Sequence, residues 1–303
     1  MAKVTSKLQV TVPKAIVRRE HTMGKIVAAA AMSHVLDPDY YQDACGLSGR
    51  RKVEACMAEV RKIGENFLAR RPDALIVVAD DHINAFSFNA VPAMCVRIGR
   101  YVHRLDQEDA EAFDRALDGM PERYALHEEL AMRILEDGLA AGFDLTQSWE
   151  APIDHAFLSP VMTMHGARPV TPLVPIWINC FIAPQPTPAR CFALGRHIAQ
   201  VVAKSPWNVG IIATGGLSHF PELLVPRVGE ADVVFDGKLL HWLEQGEHEP
   251  LQTLTTAELH KTGEHEFLNW MVLIGAITPA RADVRYFGEL GRIDLAAVEW
   301  RIA

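Results

Sequence analysis

The sequence predicts an α/β fold, a single domain with a mostly parallel central sheet and helices on both faces. Three observations predict it. Apolar, strand-sized runs recur at residues 25–34, 73–82, 170–180 and 207–219. Helical spacing occupies residues 47–70, 186–204 and 266–277, between and after those runs. The strands read as continuous apolar stretches, the pattern of a sheet covered on both faces.

Taken in order, residues 1–22 stand apart as an N-terminal extension or fused remnant, and residues 23–303 form the main domain. MAKVTSKLQVTVPKAIVRRE is basic, with Val4, Leu8, Val10 and Val12 leading into Pro13. It resembles the opening of the swapped-hairpin DNA-binding domain of antitoxins and transition-state regulators. Only the first strand and turn of that domain are matched, so a working DNA reader is not expected. The same stretch lacks the apolar core of a signal peptide. KIVAAAAMSH then reads as a strand. Residues 47–70 read as a helix with Val53, Met57, Val60, Ile63, Gly64 and Phe67 on one side. DALIVVADDH is a second buried strand. Residues 104–140 are charged and read as an exposed helical insertion or lid. VTPLVPIWINC is a strand, and residues 186–204 a helix with Pro188 in its first turn. WNVGIIATGGLSH is a strand that stops at a Gly-Gly turn.

Composition narrows the function. Hydrophobic residues make up 49% and charged residues 22%, ordinary for a globular protein. The formal net charge is −8, which argues against nucleic acid as a partner. No run is long enough to cross a bilayer. Five cysteines, with no CxxC pair, argue against a disulfide framework or zinc ribbon and for a reducing cytoplasm.

Three apolar runs end alike, in AAAMSH, IVVADDH and IIATGGLSH, placing His34, His82 and His219 where a strand hands over to a loop. Ligands bind beyond the carboxyl ends of strands in open parallel sheets, so these side chains can converge. His155, in IDHAF, is a fourth histidine whose role the local pattern leaves open.

Together GGLSH, DDHINAF, IDHAF, the early SH and GEHEFLNWMV resemble the class III extradiol ring-cleavage dioxygenases, in order, from about residue 25 to 277. The type example is the protocatechuate 4,5-dioxygenase β subunit. The resemblance implies that His34, His82 and Glu266 ligate Fe(II), that His219 is the acid–base residue, and that His155 is a second catalytic histidine. Glu264 is the rival to Glu266, which holds the family's place before Phe267 and Trp270. Two imidazoles and a carboxylate on one face of Fe(II) leave three positions open, two for a catechol and one for O2. A histidine with pKa near ~6.5 suits removal of the second catechol proton. The implied reaction inserts both oxygen atoms of O2 and yields a ring-opened semialdehyde acid.

The resemblance also implies a homo-oligomer, and it admits a small helical partner subunit, whose place residues 104–140 could take. Asp81 and Ser33 are candidates to hold ligand histidines, Gly215 and Gly216 to form a tight turn, Phe86 to line the pocket, and Arg168, Arg190 and Arg196 to meet a substrate carboxylate. His265 reads as a helix-start residue. Two further readings stay open: an aminophenol-cleaving relative, and a non-enzymatic metal-pocket binding protein of the same fold.

Overall fold

The computed structural model describes residues 23–34, 36–105, 121–166, 168, 170–221 and 229–302. The N-terminal extension at 1–22 lies outside them, as does the 106–120 part of the expected lid. The strands are β1 (Lys25–Met32), β2 (Ala74–Ala79), β3 (Met94–Arg97), β4 (Tyr101–His103), β5 (Arg123–Ala125), β6 (Thr146–Ser148), β7 (Leu173–Ile178), β8 (Asn208–Thr214), β9 (Ala282–Glu289) and β10 (Asp294–Trp300). The helices are α1 (Pro38–Arg70), α2 (Glu128–Ala140), α3 (His155–His165), α4 (Pro188–Ala203), α5 (Val233–Gln245), α6 (His248–Thr253), α7 (Thr256–Thr262) and α8 (Phe267–Ile277).

Eight strands form one sheet in the order β6-β3-β7-β2-β8-β1-β10-β9. The middle four, β7-β2-β8-β1, are all parallel. They are the four apolar runs legible in the sequence. Antiparallel pairings flank them, β3 with β7 on one side and β1 with β10 on the other. Side chains alternate across the sheet. Ile76 and Val78 enter one core with α2, α4 and α8. Leu75 and Val77 enter the other with α1 and α3. Both faces are covered, which is why the middle strands are apolar throughout.

Two expectations change. Residues 128–140 are not a lid. α2 buries Leu130, Ala131, Ile134 and Leu135 in the first core; its charged residues are only its solvent face. The helix read from residue 47 starts earlier, at Pro38, capped by Asp37, and is broken at Gly46 (φ 69°, ψ −169°). That break is why the helical spacing became legible only after it. α4 and α8 meet more closely than side chains would permit. A Cβ on Gly195 would lie 1.9 Å from the Val272 carbonyl oxygen, and one on Gly275 would lie 2.0 Å from that of Phe192. This contact seats α8, and with it Glu266, over the sheet.

Candidate active site

β2, β8 and β1 are neighbours and run parallel, so their carboxyl ends share one edge of the sheet. The chain places His82, His219 and His34 just beyond those three ends. His155 is the first residue of α3, and Glu266 is at the N-cap position of α8. Five residues scattered between positions 34 and 266 thereby meet.

Glu266 is the centre of the cluster. Its Oε1 lies 3.6 Å from His34 Nε2, 3.5 Å from His82 Nε2 and 3.6 Å from His219 Nε2. The rings of His34 and His82 are 5.0 Å apart and edge-on. His155 stacks on His82 at 4.9 Å and meets His34 at 5.2 Å. The other carboxylate oxygen, Oε2, accepts from the Gly216 N–H. Gly215 (φ 100°) lets this happen: a Cβ there would lie 2.5 Å from Glu266 Oε2. The expected Gly-Gly turn is therefore present, and it serves Glu266. The rival Glu264 is fully buried beside Asp236 and Asp294, and burial with the Asp236 charge holds its carboxyl well above the usual range.

Oε1 of Glu266 is buried and accepts no hydrogen bond. Contacts of 3.5–3.6 Å are too long to be good hydrogen bonds. They are close to the spacing of about 3.0–3.5 Å between two atoms that share one cation through bonds of ~2.1 Å. Burial lowers His34 to about 3, so its imidazole is neutral. Burial alone would raise Glu266, but His34, His219 and His82 outweigh it and hold the carboxyl well below its usual range. Burial would lower His82 and His219; the carboxylates around them reverse the shift.

A second carboxylate also reaches the cluster. Asp80, fully buried, places Oδ2 3.2 Å from His82 Nε2 and Oδ1 4.0 Å from His34 Nδ1. Among the described residues, the triples whose donor atoms all lie within 4.8 Å are His34, His82 and His155, and His34, Asp80 and Glu266. Burial raises Asp80 to about 8, and Asn269 Nδ2 donates to its Oδ1. The two buried carboxyls are thus pushed in opposite directions, Asp80 up by burial and Glu266 down by the histidines around it.

The neighbours expected from sequence are redistributed. Asp81 accepts the N–H groups of Ala85 and Phe86 and shapes its loop. It is Asp154 that faces His82, with Oδ2 3.6 Å from Nδ1. The same carboxylate caps α3 through the Ala156 N–H and accepts from Asn84 Nδ2. Ser33 ties β1 to Gly216 and to the Ala296 N–H and holds no imidazole. Phe86 packs on Trp177, while Phe181, which no motif singled out, lies 6.0 Å from His82. His265 is more than a helix-start residue, since its buried ring sits between Phe181 and Phe220. Arg190 donates to the Gly142 carbonyl, Arg168 to that of His165, and Arg196 is exposed on α4.

A sequence model of the family described as the catalytic LigB subunit of aromatic ring-opening dioxygenase matches residues 28–296. The chain belongs to this family. The match runs past the last recognisable motif and takes in β9 and the first three residues of β10. Among relatives, a 2,3-dihydroxyphenylpropionate/2,3-dihydroxicinnamic acid 1,2-dioxygenase of Photorhabdus laumondii is 28% identical over 170 residues, 56% of this chain and 50% of that one. The Mycobacterium ulcerans protein of the same name is 30% identical over 190 residues, 63% of this chain and 56% of that one. The chain thus spans about half the length of the curated relatives it matches. The crystal structure of an uncharacterized Escherichia coli K12 protein superposes with a TM-score of 0.57 at 18% identity, covering 91% of this chain and all of that one; at that identity the likeness concerns the fold. Among the described residues, no helix is long and apolar enough to cross a membrane.

Proposed function

We propose that the protein is a non-haem Fe(II)-dependent extradiol dioxygenase that opens a catechol-type ring with O2 to a semialdehyde acid. The observation that carries this is the buried Glu266 Oε1, without a hydrogen bond and facing the Nε2 atoms of His34 and His82. Those three residues would hold the iron. Bound there, Fe(II) supplies the Lewis acidity and redox chemistry that let an aromatic diol react with O2. Membership of an aromatic ring-opening dioxygenase family supports the same reading.

The chain's own residues account for the proton movements. His219 Nδ1 faces the Leu217 carbonyl at 2.9 Å. A carbonyl can only accept, so Nδ1 carries the proton and Nε2 of the neutral ring is the free base. That Nε2 points to Glu266 and so to the place where a catechol hydroxyl would be drawn. His219 takes the hydroxyl proton there and can return it when the ring opens. His155, held against His82 and His34, contacts the substrate from the other side and serves as the second proton donor. Asp154 Oδ2, 3.6 Å from His82 Nδ1, places negative charge on the far side of the ring and so favours a proton on Nδ1, which would leave Nε2 for the cation. Phe181, buried 6.0 Å from the His82 ring, gives the site an apolar neighbour.

The test is direct. Purified protein loaded anaerobically with iron(II), offered a panel of catechols and opened to air, gives a yellow ring-fission product. No product from any catechol or aminophenol, with iron bound, would leave a metal-binding protein of this fold in place of the enzyme.

A further inference from the structure

His219 lies in a loop, and a loop histidine must be held still to move a proton. Its immediate neighbour is the part of the loop that is anchored. Ser218 is fully buried, and so is Asp236 in the first turn of α5. Asp236 Oδ2 accepts the Ser218 hydroxyl at 2.9 Å, and Oδ1 accepts the Ser218 N–H at 3.3 Å. The Ser218 hydroxyl oxygen in turn accepts the Asp232 N–H at 2.7 Å, from the N-cap of the same helix. The remaining backbone groups of the loop are also tied. Leu217 N–H donates to the Asp294 carbonyl, Asp294 N–H to the Ser218 carbonyl, and His219 N–H to the Gly263 carbonyl. The Asp236 carboxyl group grips this loop at two atoms.

We infer that Asp236 is a positioning residue for His219, acting through Ser218. The carboxylate touches neither substrate nor cation. It fixes the Ser218 backbone and hydroxyl, and so the plane in which the His219 ring presents Nε2. Two buried hydrogen bonds to one carboxyl group suit this task, because together they fix an orientation that a single contact leaves free. The inference rests on the assignment of His219 as the proton acceptor.

The experiment compares Ser218→Ala, Asp236→Ala and the double variant, each loaded with iron(II). Because Asp236 acts through Ser218, iron content and KM for a catechol stay within about twofold of the unaltered protein. The value of kcat falls on the order of tenfold or more for Asp236→Ala and less for Ser218→Ala, and the double variant is no slower than Asp236→Ala, the pattern of two groups in one linkage. Should Asp236→Ala not fold, Asp236→Asn, whose amide oxygen still accepts the Ser218 N–H, gives the same sign with a smaller loss. An unchanged kcat, losses that multiply, or a fall that tracks lost iron would overturn the inference. A readout independent of turnover is solvent exchange of the His219 Nδ1–H, assigned by its disappearance in His219→Gln. It quickens about tenfold or more in the Asp236 variants, and an unchanged rate also overturns the inference. Inactivity of the unaltered protein would sink the assignment of function, while this exchange measurement would still decide whether Asp236 holds the ring.

Discussion

At the scale of residues, the centre turns on one carboxylate oxygen. Glu266 Oε1 meets three imidazole nitrogens at 3.5–3.6 Å, so removing any partner on the proposed ligand set removes a bond to the cation. His34→Ala, His82→Ala and Glu266→Ala are each expected to lose bound iron, measured by metal analysis after desalting; full occupancy in one of them would strike that residue from the set. Asp80→Asn tests the competing carboxylate. It keeps iron if Glu266 is the ligand and loses it if Asp80 is. His219→Gln keeps iron and loses on the order of 10²–10⁴ in kcat, the usual worth of a general base; a near-normal rate would reject that role. The strand-end histidines were legible because three runs finished alike. Asp80, Asp154 and Phe181 were not, because nothing in a local pattern says which of two adjacent aspartates turns inward, or which distant carboxylate will face an imidazole.

At the scale of elements, α3 and α8 deliver the groups that strands cannot. Asp154 performs three tasks with one carboxylate: it caps α3, holds Asn84 and faces His82. Asp154→Ala is expected to cost about 1 kcal/mol of stability as a lost cap and, separately, roughly 10–100-fold in metal affinity through the freed His82 ring. Denaturant titration and metal competition measure the two effects, and a variant that loses stability without affinity would limit Asp154 to capping. α8 depends on the bare backbone of Gly195 and Gly275. Gly275→Ala would drive a Cβ into the Phe192 carbonyl and is expected to destabilise by about 1–3 kcal/mol. Calorimetry reads that loss, and an unchanged Tm would mean the helices can part without consequence. Asp154 stands beside His155 in the sequence, and only the fold carries it across to His82.

For the whole molecule, the two cores on either side of the sheet draw on residues from Ile26 to Ile302. The family match begins at residue 28; deletion of residues 1–22 is expected to leave Tm and activity unchanged, and loss of folding on that deletion would show the extension to be part of the core. A cation bound only by the folded state adds stability by mass action, about 2.7 kcal/mol at a hundred times its Kd. Chelation should accordingly lower Tm by several degrees, an effect that the Glu266→Ala variant would not show. The sequence by itself determined the four parallel strands, most of α1, α4 and α8, and the residue types at the strand ends, because burial on both faces and 3.6-residue spacing leave marks that a linear reading can find. Only the tertiary structure decided the antiparallel flanks, the burial of α2, the pairing of Asp154 with His82 and the gathering of four distant histidines around Glu266. Those contacts join positions far apart in the chain, and sheet order, rather than any local preference, sets which of them become neighbours.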